Sequence, residues 1–118
     1  MYEYNAKILR VYDGDTVRAD LDLGFGIWMR NQSIRLRGIN TPELRGDEKE
    51  AGIVSRDRLR ELLDEVGNVC VIKTQKDSQR GKYGRILGEI KVEGQELSLN
   101  QILIGNAMRT MIIWANRR

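Results

Sequence analysis

Asp13 and Asp15 stand two residues apart in the stretch DGDT, where their oxygens could ligate a hard cation such as calcium or magnesium. Asp-Gly is also what a tight hairpin uses, so the same residues read as a plain turn. Farther on, IRLRGINTPE carries Arg35 and Arg37 on one face of a strand that runs into Asn40, Thr41 and Glu43. In a loop at the end of that strand, Glu43 could act as a general base. Alternatively Thr41 as N-cap, Pro42 at the first helical position and Glu43 in the first turn describe a helix start. A third stretch, RGKYGR, gathers Arg80, Lys82, Tyr83 and Arg85 between glycines. Guanidinium groups presented this way suit a phosphate, although a solvated charged hairpin would look the same.

Composition narrows the chemistry these residues can do. The chain has no histidine, which removes the commonest general base, the commonest transition-metal ligand and every His-dependent hydrolase arrangement. Catalysis is left to carboxylates, Arg, Lys, Tyr and hard cations. Cys70 is the single cysteine, so no internal disulfide and no thiol zinc site is open to it, and VCVIK around it reads as a buried strand. The net charge of +3 favours anionic partners without identifying them. No apolar run reaches the roughly 18 residues of a membrane span, and no basic start leads into a short apolar core. A cytoplasmic setting is therefore expected, or a secreted one if the chain is a trimmed mature form. At 118 residues, one domain covering 1–118 is expected, working as a monomer.

The elements that must position these residues follow from periodicity. AKILRVY and TVRADLDL are strand-like runs on either side of Asp13-Gly14-Asp15, and Val17, Ala19, Leu21 and Leu23 alternate with polar residues so that one face is buried. In IWMRNQSIRLRGI, Ile34 and Leu36 alternate with Arg35 and Arg37. From Asp47 to Val66 the spacing becomes helical, with Ala51, Val54, Leu59, Leu62, Leu63 and Val66 on one stripe. Acids at Asp47, Glu48 and Glu50 suit the start of that helix and Gly67 its end. VCVIKT and YGRILGEIKV are further strands, with Gly94 turning the chain. Ser98 is a plausible N-cap for a short helix that carries Leu99, Ile102 and Leu103 and stops at Gly105, ahead of a last apolar strand near AMRTMII. Five strands around an amphipathic helix predict a small β-barrel with helices, of which the OB-fold is the best-known oligonucleotide-binding example.

Taken in order and spacing, VYDGDTVR, IRLRGINTPE and GKYGR, followed by a helix ending in Gly105 and then NAMR, resemble the staphylococcal nuclease-like (thermonuclease) family from about Ala6 to Met111. The resemblance implies a five-stranded OB-fold barrel with helices. It also implies a calcium-dependent phosphodiesterase, cutting DNA and RNA to leave 3'-phosphate ends. Residue by residue, Asp15 matches the family's direct calcium ligand, with Asp13 supporting it, and the backbone carbonyl of Thr41 matches another ligand. Glu43 matches the carboxylate that orients or deprotonates the attacking water. Arg35 and Arg85 match the two arginines that grip the scissile phosphate. Lys82 and Tyr83 match positions that contact the substrate's other phosphates.

The chain also departs from the family pattern. Asn40 stands where the family has a calcium-binding aspartate, so the ligand oxygen survives while a formal charge is lost, which predicts weaker calcium binding. Gly81 replaces an acid before the Lys-Tyr-Gly-Arg motif. Met111 and Ile113 stand about where base-stacking tyrosines are expected, leaving Trp114 as a candidate substitute, and Arg118 falls before the family's usual C-terminal helix. Two functions follow as expectations: a metal-dependent nuclease, favoured by Glu43 and both arginines, and a nucleic-acid-binding OB module that has lost hydrolysis, favoured by Asn40. A structural or protein-interaction role ranks third.

Overall fold

The computed structural model describes residues 2–41, 44–74 and 86–105. Five strands, β1 (Tyr2–Asp13), β2 (Thr16–Gly24), β3 (Ile27–Leu36), β4 (Val69–Thr74) and β5 (Ile86–Lys91), close into a barrel in the order β1-β2-β3-β5-β4. This is the closed form of the barrel that the sequence predicts, with the helices of an OB-fold. Every pairing is antiparallel except β3 with β5, where Ile34 stands opposite Ile86 and Leu36 opposite Gly88. That parallel junction is tight. A Cβ on Gly88 would lie 2.9 Å from Ile72 Cγ2 and 3.0 Å from Ile34 Cγ2, so glycine is required there by space rather than by backbone angle.

The barrel interior is filled by the inward positions of the strands: Ala6, Ile8 and Val11, then Val17, Ala19 and Leu21, then Ile34 and Leu36, with Cys70, Ile72 and Ile90. The predicted alternation holds for Val17, Ala19 and Leu21, and fails at Leu23, which is solvent-exposed because β2 runs on past the barrel into its hairpin with β3. Cys70 behaves as the small buried hydrophobe expected, and burial pushes its thiol pKa up to about 12. Asp20 is an inward surprise. Its carboxylate accepts from the Asn31 N–H at 2.8 Å and from Arg30 Nη1 at 3.0 Å, and so fixes the β2–β3 irregularity between Ala19 and Leu21.

A short 3₁₀ turn, Gly46–Glu48, leads into helix α1 (Lys49–Asp64). The helix therefore begins two residues later than the predicted Asp47, and Thr41 does not cap it; Pro42 and Glu43 lie outside the described residues. Glu48 and Glu50 still place negative charge at its N-terminus, where the helix dipole favours it. Its buried line is Gly52, Leu59 and Leu63, with Leu62 and Val66 packed partly against the core. Ala51 and Val54 point to solvent, contrary to the predicted stripe, because the helix rests on β1 mainly through its second half. Gly67, with φ +67°, ends it as expected.

Helix α2 covers residues 99–105. Ser98 caps it: Ser98 Oγ accepts from the Gln101 N–H at 3.1 Å and Gln101 Oε1 accepts from the Ser98 N–H at 2.9 Å, a reciprocal capping box. Leu99 and Leu103 enter the core beneath it, each such burial contributing about 1.5–3 kcal/mol. The last strand predicted near AMRTMII lies outside the described residues.

Candidate phosphate and metal site

The β1–β2 turn builds the site's acidic half. Asp13 Oδ1 accepts from the Asp15 N–H at 3.0 Å, an Asx turn that sets the backbone of DGDT. Gly14 is not in the left-handed region. Its reason is proximity: a Cβ there would lie 2.7 Å from both Ser55 Cβ on α1 and Thr41 Cγ2. The turn, the loop after β3 and α1 thus meet at one point, which the hairpin reading of Asp-Gly does not require.

Asp15 is buried and fully engaged. Its Oδ1 accepts from Thr16 Oγ1 at 3.0 Å, its Oδ2 accepts from the Thr41 N–H at 3.1 Å, and Arg35 Nη2 lies 3.4 Å from Oδ2. Burial works to raise the Asp15 pKa, but hydrogen bonds from Asp13, the Thr41 N–H and Thr16, together with the Arg35 charge, outweigh it and hold the carboxyl below its ordinary value. Asp13 moves the other way, raised first by burial and then by the Asp15 carboxylate beside it. On acidification Asp13 is therefore the first of the two to take up a proton, and Asp15 the last to lose its charge.

Arg35, near the end of β3, is held on the same spot. Arg35 Nη1 donates to Leu36 O at 2.8 Å and to Asp15 O at 3.5 Å, and the Leu36 N–H donates to Asp15 O at 2.7 Å. Its side chain is one quarter exposed, and its Nε–H and one Nη2–H have no partner among the described residues. Those donors form a fork on a guanidinium already fixed in place. Arg37, expected on the same strand face, instead lies just past β3 in the turn and is exposed.

The loop carrying Asn40 and Thr41 is positioned from two sides. Gly38 takes φ +78°, and Ile39 then plugs into the core. Asn100 on α2, 3% exposed, donates from Nδ2 to Arg37 O at 2.9 Å and to Gly88 O at 3.2 Å, while its Oδ1 accepts from the Ile90 N–H at 3.0 Å. Asn40 is exposed, and Thr41 is half-buried with its Oγ1 enclosed and unpartnered among the described residues. The structure thus brings Asp13, Asp15, Arg35 and Thr41 together and sets Asn40 next to them along the chain. Glu43, Lys82, Tyr83 and Arg85 lie outside the described residues, as do Met111, Ile113 and Trp114.

The sequence reading passed over Asn100 and the close approach at Gly14. A signal for Asn100 existed: an amide between Leu99 and Ile102 interrupts the apolar face of a short helix. Nothing local marks Gly14, because what it approaches is 27 and 41 residues away in Thr41 and Ser55.

Among the described residues the oxygen donors that could face a metal here are hard: the Asp15 carboxylate, the Asn40 amide and the Thr41 carbonyl, with the Asp13 carboxyl behind them. Among the described residues no three His, Cys, Asp or Glu converge. Such a set fits a hard divalent ion such as calcium, held with few formal charges.

A family model described as Staphylococcal nuclease homologue matches residues 33–117, a span that includes Arg35, Asn40, Thr41, Glu43, Lys82, Tyr83 and Arg85. No curated protein matches the chain. No described helix is long and apolar enough to cross a membrane.

Proposed function

The chain belongs to the staphylococcal nuclease homologue family, and on that premise we propose that it is a calcium-dependent phosphodiesterase that hydrolyses DNA, RNA or both to 3'-phosphate products. The family is one of nucleases, so nucleic acid is the substrate class. The observation that carries the finer reading is the pairing of Asp15 with Arg35 at one end of the barrel: an ionised carboxylate and an anchored guanidinium fork lie side by side. A cation and a phosphate can be held there together. We take the chain to work as a single domain and as a monomer.

In this reading Arg35 and Arg85 hold oxygens of the scissile phosphate and offset the negative charge that builds as water attacks phosphorus. Glu43 takes the proton from that water. The bond from phosphorus to the 5'-oxygen breaks, the 5'-oxygen leaves as a hydroxyl after taking a proton from solvent, and the phosphate stays on the 3' side. Lys82 and Tyr83 contact neighbouring phosphates. Asp15, Asn40 and the Thr41 carbonyl would hold calcium, with Asp13 orienting Asp15 through the turn. Bound there, the ion would polarise the phosphate and acidify a water.

The test is cleavage of labelled single-stranded DNA and RNA at slightly alkaline pH, with calcium titrated and with chelator and Glu43→Ala as controls. Cleavage that needs calcium and is lost in both controls supports the reading. Asn40 favours a second one, a nucleic-acid-binding module without hydrolysis. It predicts binding with no cleavage at any calcium concentration.

A further inference from the structure

Of the exposed aromatic side chains among the described residues, Tyr12 stands at the site. Phe25 belongs to the β2–β3 turn, Trp28 to the start of β3, and Tyr2 to the start of β1. The Phe25 turn is separated from Asp15 by the length of β2, roughly 25–30 Å at a strand's rise per residue. Tyr12, by contrast, is three residues from Asp15, so their Cα atoms lie within about 11 Å. Tyr12 is 58% exposed, so more than half of its surface is open to solvent.

The ring borders a cavity of about 330 Å³ that Asp13, Leu44 and Arg45 also line. The Arg10 guanidinium carbon lies 6.0 Å from the Tyr12 ring centroid, a cation–π contact that steadies the ring. One wall of the cavity is flat and aromatic, one is aliphatic, one is a carboxyl group, and arginines stand at Arg10 and Arg45. The carboxyl wall disfavours a phosphate inside the cavity. A planar uncharged group on the tyrosine, with its flanking phosphate outside the cavity, suits the aromatic, aliphatic and carboxyl walls.

We propose that Tyr12 stacks on the base of a nucleotide next to the scissile phosphate, with Leu44 closing the cavity over it and Arg10 behind the ring. The inference rests on the nuclease reading and deepens it by naming a base-stacking position on the β1 side of the site. Stacking on every base's π-face makes the position tolerant of sequence and selective for single strands, where bases are free to leave their neighbours.

Binding is measured in chelator by fluorescence anisotropy, with labelled single-stranded oligodeoxyadenylate and an abasic oligonucleotide of the same length as probes. Tyr12→Ala is expected to weaken binding of the adenylate about 5- to 100-fold, with Tyr12→Phe within about 2-fold of wild type. Neither change should alter binding of the abasic probe, since only the base is lost. Equal adenylate affinity in wild type and Tyr12→Ala, or an equal loss on the abasic probe, overturns the proposal. Cleavage by the wild type with calcium is measured alongside. Wild type that cuts while Tyr12→Ala binds unchanged removes the stacking position alone; wild type that neither binds nor cuts removes the nuclease reading and this inference with it.

Discussion

The Thr41 backbone N–H donates to Asp15 Oδ2 at 3.1 Å, joining two loops that are 26 residues apart in sequence. This bond ties the β1–β2 turn to the loop that leaves β3. Because Arg35 meets the same oxygen at 3.4 Å, one buried carboxylate fixes the loop backbone and the guanidinium together. A shift at either loop is therefore felt by the Arg35 guanidinium as well as by the backbone at Thr41.

Gly14→Ala tests how tightly that junction is packed. The added Cβ meets Ser55 Cβ and Thr41 Cγ2 at 2.7 Å, so the loops must part. Overpacking of this kind costs about 1–3 kcal/mol, read as a drop in urea midpoint. Thr41→Ser removes the opposing Cγ2, and in the Gly14→Ala background it should recover part of the loss. No recovery in the double variant would mean that the clash is not with Thr41.

If the proposed calcium site is correct, Asn40→Asp should tighten calcium binding, because it adds a formal charge beside the Asp15 carboxylate. Isothermal titration calorimetry of the two proteins decides this. Equal affinities would show that residue 40 does not ligate the ion. In cleavage assays the same variant should need less calcium for half-maximal rate.

Much of this arrangement is legible in the sequence, and the limits have physical causes. The barrel could be read because Val17, Ala19, Ile34 and Leu36 alternate with period two, and the short helix because Ser98 suits an N-cap. Leu23 and Val54 misled because periodicity reports which face a residue is on, and says nothing of where the partner layer ends. The DGDT and NTPE motifs pointed to Asp15 and Thr41 as separate candidates, and the bond that joins them is tertiary. Asp20 read as an outward strand position, yet it is buried because a bulge in the β2–β3 ladder turns the Asn31 N–H toward it.

Asp20 predicts a pH dependence. Its pKa is lowered from the ordinary 3.8, chiefly by the Asn31 N–H and further by Arg30, with burial opposing. A carboxyl with a depressed folded pKa stabilises the fold above its unfolded value, and that contribution is lost as pH falls through the folded value. Asp20→Asn keeps an acceptor and loses the charge. Wild type should therefore exceed Asp20→Asn in urea midpoint at pH 7, with the gap closing as pH drops below about 3.8. An unchanged gap at pH 3 would rule out the charge as the cause.

Asn100 holds the other side of the site, and its side chain is difficult to replace. It donates to the Arg37 and Gly88 carbonyls and accepts from the Ile90 N–H, all at 3.2 Å or less. The Gly88 carbonyl keeps a second donor in the Arg37 N–H, so Asn100→Ala strands two backbone groups, Ile90 N–H and Arg37 C=O. At about 1–3 kcal/mol for each buried group left unpaired, the variant should lose about 2–6 kcal/mol of stability. Asn100→Asp keeps the acceptor for Ile90 and turns both donors into a charge facing carbonyls, so it should cost at least as much. If the amide only filled space, Asn100→Leu would restore stability by burial. If it clamps the turn from Arg37 to Thr41, Asn100→Leu stays destabilised, and what folded protein remains binds calcium more weakly than wild type in calorimetry. The second pattern is expected, because the loop that presents Asn40 and Thr41 begins at the carbonyl Asn100 holds.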